Sequence, residues 1–168
     1  MISRRTVCLA LAGLGSVAAA PALAQAWRTY TNPRFGTTIE YPDSFRPGRP
    51  PDNGAGLNFT GPDGATFSVF GSHNALDHDL PGLEASVREG RAGQQITYDQ
   101  RGANWVVISG QRGDTIFYER HQLSHGGRIV NGFVLQYPAR LRSEYDPVVT
   151  RMSRSFRAGR GVDTEGNP

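Results

Sequence analysis

The feature that most constrains the fold is a run of short alternating segments, joined by glycine-rich connectors, between Gln95 and Tyr137. Gln95 to Gln100, Asn104 to Ser109, Thr115 to His121 and Arg128 to Tyr137 are each long enough for a strand. The connectors are Arg101-Gly102-Ala103, Gly110-Gln111-Arg112-Gly113-Asp114 and Leu123-Ser124-His125-Gly126-Gly127. A parallel crossover needs a dozen or more residues, so connectors this short force antiparallel neighbours, that is, a meander.

The same logic applies upstream. Phe35, Thr37, Ile39 and Tyr41 alternate with Gly36, Thr38 and Glu40, a period of two that buries one face. Trp27 to Thr31 pairs with that strand across the turn at Asn32-Pro33. Leu57 to Thr60 and Ala65 to Phe70 flank Gly61-Pro62-Asp63-Gly64, a hairpin turn. Pro47 to Gly56 reads as a surface loop. Two helices are expected. One starts at Asp79, presents Leu83 and Val87 on one face and ends near Gly90. The other has Asp146 as N-cap and Pro147 at its first position. Its stripe is Val149, Met152 and Phe156, with Thr150, Arg151, Ser153 and Arg154 toward water. The expected fold is α+β, a mostly antiparallel sheet of about six to eight strands flanked by helices.

The segment Phe35-Gly36-Thr37-Thr38-Ile39-Glu40-Tyr41-Pro42-Asp43-Ser44-Phe45 resembles the opening of the PsbP-like superfamily (photosystem II extrinsic protein P-like). The shared pattern is an aromatic-Gly pair, an alternating strand, then Tyr-Pro and a further aromatic. The order of elements is similar too, over about residues 27 to 157. In that superfamily plant members support photosystem II, another member binds a nuclear GTPase, and many exported bacterial members have no assigned role. The resemblance implies a PsbP-like sandwich serving as a small non-catalytic binding or assembly factor.

The first 24 residues read as an export signal. Met1-Ile2-Ser3-Arg4-Arg5 is a positive start, Thr6 to Ala20 is uncharged and apolar, and Ala22-Leu23-Ala24 precedes a cleavage point between Ala24 and Gln25. Ser3-Arg4-Arg5-Thr6 also resembles a twin-arginine start, with Val7 and Cys8 where Phe and Leu are more usual. The Sec and twin-arginine routes both lead to the periplasm. Cleavage removes Cys8, the one cysteine of the chain, and with it any disulfide, thiolate ligand or cysteine nucleophile. The chain has no lysine, so Schiff-base and P-loop lysine chemistry are excluded. Of 18 Arg, 16 remain after removal of Arg4 and Arg5, against 15 acidic residues, and they form no block suited to nucleic acid. Residues 25–157 are expected to form a single domain and 158–168 a flexible tail.

The densest polar cluster is Gly71-Ser72-His73-Asn74-Ala75-Leu76-Asp77-His78-Asp79. His73, Asp77, His78 and Asp79 are the ligand-binding candidates, because imidazole and carboxylate can hold a divalent ion. The competing reading makes Asp79 a helix cap and Asn74 and Asp77 turn residues. Ser109, His121 and Asp114 can be imagined as a triad, but Ser109 lacks the Gly-x-Ser-x-Gly elbow. Trp27, Trp105, Tyr118, Phe133 and Tyr137 are core residues or the lining of a groove on the sheet face that the final helix leaves open. No resident cofactor and no catalytic residue is predicted. The expectation is an exported periplasmic binding or accessory protein with an envelope protein or small ligand as partner. The alternatives are a metal-dependent hydrolase centred on His73, Asp77 and His78, and a ligand-free envelope-stress component.

Overall fold

The computed structural model describes residues 25–159. The expected export signal at 1–24, and all of the expected tail except Ala158 and Gly159, lie outside them. The elements run β1 (Trp27–Thr31), β2 (Thr38–Pro42), β3 (Arg46–Pro47), β4 (Gly56–Thr60), β5 (Thr66–His73), α1 (Leu80–Glu89), β6 (Gln95–Arg101), β7 (Trp105–Arg112), β8 (Thr115–Ser124), β9 (Ile129–Pro138) and α2 (Arg142–Ser155). β1 and β2 form a two-stranded antiparallel sheet, and the rest form a seven-stranded sheet in the order β3-β4-β5-β9-β8-β7-β6. Every pairing is antiparallel, so the α+β expectation and the meander β6-β7-β8-β9 both hold.

Local chemistry explains the turns. The Asn32 side chain accepts from Arg34 N at 3.0 Å and Phe35 N at 2.6 Å, holding the bend between β1 and β2. β7 extends further than expected, to Arg112, while β8 starts at Thr115 as expected, leaving only Gly113-Asp114 as the loop. Gly110 is thus a strand residue rather than a turn residue. A Cβ there would lie 2.0 Å from the carbonyl oxygen of Gln95, so β6 can approach β7 only because this position is bare.

Period two sends side chains to two layers. On one face Phe59, Phe67, Val69, Ile116, Phe133, Leu135 and Tyr137 meet Ile39 and Tyr41 from the β1–β2 hairpin and Tyr145, Val148, Met152 and Phe156 from α2 and its end. Phe59 and Phe67 stack with centroids 4.1 Å apart. Each such buried side chain contributes about 1.5–3 kcal/mol. On the other face Leu83 and Val87 of α1 cover Val106, Ile108, Phe117 and Leu123. Asp79 caps α1 by accepting from Gly82 N at 2.9 Å, as expected.

The second helix differs from expectation. It begins at Arg142, after a 3-10 turn at Ala139–Leu141, and Pro147 lies inside it. Tyr145 is the reason: it is buried, stacks on Tyr137 at 4.7 Å and meets Phe45 edge-on. That packing outweighs the proline's lost hydrogen bond. The buried stripe becomes Tyr145, Val148 and Met152, and Ser153 faces the sheet rather than water. Beyond α2 the chain returns along β2: Thr38 and Arg157 exchange backbone hydrogen bonds of 2.9 Å. Gly159 lies against Phe35 so closely that a Cβ would sit 1.6 Å from its carbonyl oxygen. The start of the expected tail is therefore packed.

Candidate functional site

The sequence-predicted cluster is pinned into a structural corner. Asn74 is buried, and its side chain donates to the carbonyls of His78 at 2.8 Å and Gly127 at 2.7 Å while accepting from His78 N. Asp77 takes a positive φ of 48° at the turn. Asp79 is engaged as the cap of α1. His73 is exposed and packs edge-on against Phe35. His73 ends β5, and Asp77, His78 and Asp79 follow in the segment leading into α1. Among the described residues no group of three or more His, Cys, Asp or Glu forms a possible metal site.

The imagined triad is divided by the sheet. Ser109 lies opposite Tyr118 on the α2 face and donates to the Phe117 carbonyl at 2.7 Å. His121 is on the α1 face, with Nε2 2.9 Å from Glu119 and the ring against Phe70. Residues 109 and 121 fall on opposite faces because their positions in the β7–β8 ladder differ in parity.

The structure supplies a different site on the α2 face. The hairpin and α2 cover β5, β9 and β8 but leave β6 and β7 open, and a cleft of about 390 Å³ runs along the flank of α2. Tyr98, Ser109, Tyr118, Tyr137, Asp146, Val149, Thr150, Ser153 and Arg154 line it. It lies beside the final helix, not on a face clear of it, so the groove expected on the open face is relocated. Of the five aromatics considered, Tyr118 and Tyr137 line it, Phe133 is fully buried, and Trp27 packs under Arg151.

A bulge brings Tyr98 to the cleft. Ile96 pairs with Gly110 and Tyr98 with Ser109, so Thr97 is an extra residue in β6. Ile96 packs with α1, whereas Tyr98, two positions on, reaches the opposite face. Tyr98 is 50% exposed, against near-complete burial for most aromatics of this chain.

The cleft is polar in a specific way. The Tyr118 hydroxyl donates to Ser153 Oγ at 2.8 Å. Burial raises the Tyr118 pKa, and burial with Asp146 beside it pushes Tyr137 up to about 12. Both phenols therefore stay protonated and can donate. Arg120, not itself a lining residue, donates from Nη1 to Ser153 O at 3.3 Å and to its Oγ at 3.4 Å. Its guanidinium lies 4.9 Å from the Trp105 ring centroid and 5.6 Å from that of Phe156. No carboxylate among the described residues pairs with it, and its Nε is buried without a hydrogen-bond partner. Burial, with Arg157 nearby, lowers its pKa. An orphaned buried donor costs about 1–3 kcal/mol, and cation–π contacts return about 0.5–2 kcal/mol.

The α1 face carries a second polar cluster, and it is satisfied. Glu119 is 5% exposed and accepts from Arg91 at 2.7 Å alongside His121 at 2.9 Å. Burial alone would raise the Glu119 pKa; hydrogen bonds to His121 and Arg91 outweigh it and hold the carboxyl below its ordinary value. Arg91 also lies 4.4 Å from the centroid of Phe117.

One seven-stranded antiparallel sheet, clasped by a hairpin and α2 on one face and α1 on the other, is a PsbP-like α+β fold. The cyanobacterial PsbP (CyanoP) of Synechocystis sp. PCC 6803 matches it with a TM-score of 0.60 at 13% identity, covering 86% of this chain and 99% of that one. The Ran-binding protein Mog1p of Saccharomyces cerevisiae matches with a TM-score of 0.55 at 9% identity, covering 80% and 96%. No protein-family model and no curated protein matches the sequence. At these identities the likeness establishes the fold. No helix among the described residues is long and apolar enough to cross a membrane.

Proposed function

We propose that this chain is an exported, periplasmic, non-enzymatic accessory protein that holds a protein partner in the cleft beside α2. The observation that carries the reading is Tyr98, an aromatic left half exposed by a bulge at the mouth of a concave, hydroxyl-lined cleft. Tyrosine and arginine are the side chains over-represented at binding hot spots, and both occur here. The fold is shared with a protein whose name records binding to Ran, which supports a partner role. The N-terminal signal pattern supports export by the Sec or twin-arginine route. A metal-dependent hydrolase reading needs His73, Asp77 and His78 to converge, and their placement gives it no support.

The test is affinity capture from periplasmic extract with wild-type protein and with Tyr98→Ala in parallel. A partner retained by the wild type and depleted about tenfold or more by Tyr98→Ala supports the reading. Equal recovery by both overturns the assignment of the cleft.

A further inference from the structure

We propose that a pocket on the α1 face, lined by Arg91, Gln94, Arg112, Thr115, Phe117 and Gln136, binds a small hydroxy carboxylate. It lies across the sheet from the cleft beside α2 and does not depend on the partner reading.

Two pieces of the chain build it. Just past the end of α1, Arg91-Ala92-Gly93-Gln94 turns back on itself, with Gln94 N donating to Arg91 O at 3.0 Å and Gly93 at a φ of 75°. In the sheet, Arg112 stands opposite Thr115, and Phe117 opposite Gln136. Directly opposed residues share a face, and Phe117 packs under α1, so these four side chains lie on that side. The turn and the β7–β8 hairpin together bound a cavity of about 290 Å³.

Every polar side chain of the lining can donate a hydrogen bond, and none is acidic. Glu119, which balances Arg91, is buried and is not among the lining residues. Arg91 commits Nε to that carboxylate at 2.7 Å and Nη1 to Gln94 Oε1 at 3.5 Å. Its Nη2 has no hydrogen bond among the described residues and is open to solvent. Glu119 and the Phe117 ring, 4.4 Å away, fix the Arg91 guanidinium before a ligand arrives. Arg112 is exposed and makes no ion pair among the described residues, so its charge is uncompensated. One oriented donor, one free positive charge, two amides and a hydroxyl therefore line a single space. A carboxylate is their complement, because arginine takes it in paired hydrogen bonds. A single uncompensated charge matches a monoanion better than a dianion. The volume is at the lower edge of the range for ligand pockets and several times that of a water, which suits a ligand of a few carbons. Both glutamine amides can also accept, so hydroxyl groups on that ligand find partners.

The test is an NMR titration of the isotope-labelled protein with lactate, following the side-chain N–H signals of Arg and Gln. Lactamide serves as the uncharged isostere and inorganic phosphate as a second anion. The expected result is a saturable shift of the Gln94 and Gln136 amide signals with lactate, weakened about tenfold or more by Arg112→Gln and for lactamide. Arg112→Lys keeps the charge, loses the planar fork and binds more weakly than wild type. Arg112 is exposed, so both substitutions leave the core intact. Arg46→Gln removes an exposed arginine in β3, at the other edge of the sheet, and should leave the affinity within about twofold. No saturable shift with lactate, equal binding of lactamide, or an affinity unaltered by Arg112→Gln overturns the proposal. So does an equal loss in Arg46→Gln, which would reduce the effect to net charge, and so does phosphate binding more tightly than lactate. Partner capture through Tyr98 reads the opposite face, so either reading can fail without the other.

Discussion

The two faces of the sheet each carry a partly buried arginine, and the two are handled in opposite ways. On the α1 face Arg91 meets a buried carboxylate, a histidine and an aromatic ring, so every charge has an answer inside the chain. On the α2 face Arg120 has aromatic rings and a serine but, among the described residues, no carboxylate. The difference is that one charge is balanced by a buried carboxylate and the other, among the described residues, is not.

The largest effect that can sharpen the contrast lies in the cores beneath the two arginines. Phe133 is fully buried in the large aromatic cluster, and Leu83 is 5% exposed in the small one. Phe133→Ala should cost about 3–5 kcal/mol and Leu83→Ala about 2–3 kcal/mol in urea unfolding. Equal losses would show that the two layers are energetically equivalent. Next comes Glu119→Gln, which strands Arg91 and should cost about 3 kcal/mol by the same assay. The carboxyl also predicts a pH dependence. Its folded pKa lies below the ordinary 4.5, so its contribution is complete above that value and is lost as pH falls through the folded pKa. Thermal melts should therefore drop below about pH 4.5 in the wild type and less steeply in Glu119→Gln. Smallest is Arg120→Gln, which breaks no ion pair and should alter stability by less than about 1 kcal/mol. A loss as large as that of Glu119→Gln would erase the distinction between the faces.

Much of the scaffold was legible because period two and short glycine-bearing connectors leave few topologies open. The meander, both hairpins and the Asp79 cap follow from residues close in sequence. The start of α2 was not legible. Asp146-Pro147 is a good local start signal, but Tyr145 has partners at Phe45 and Tyr137 that no local window contains. The cleft was hidden for the same reason, since Tyr98, Tyr118 and Ser153 come from three distant elements. Simple alternation places Ile96 and Tyr98 on the same face, and only the pairing register shows the bulge that separates them. The histidine cluster drew the eye because it is contiguous, yet its strongest role is to let Asn74 and Asp79 fasten the start of α1.

The return of the chain along β2 after α2 has a temporal consequence. Ile39 and Tyr41 are synthesised well before the helix that covers them; the Ser155 hydroxyl that accepts from Glu40 N at 2.9 Å lies 115 residues further on, and the Thr38–Arg157 bridge follows it. A nascent chain therefore carries an open hairpin with an oily underside until α2 has been made. The clasp is a long-range closure, the kind of step that slows folding and leaves a window for chaperones to engage the chain.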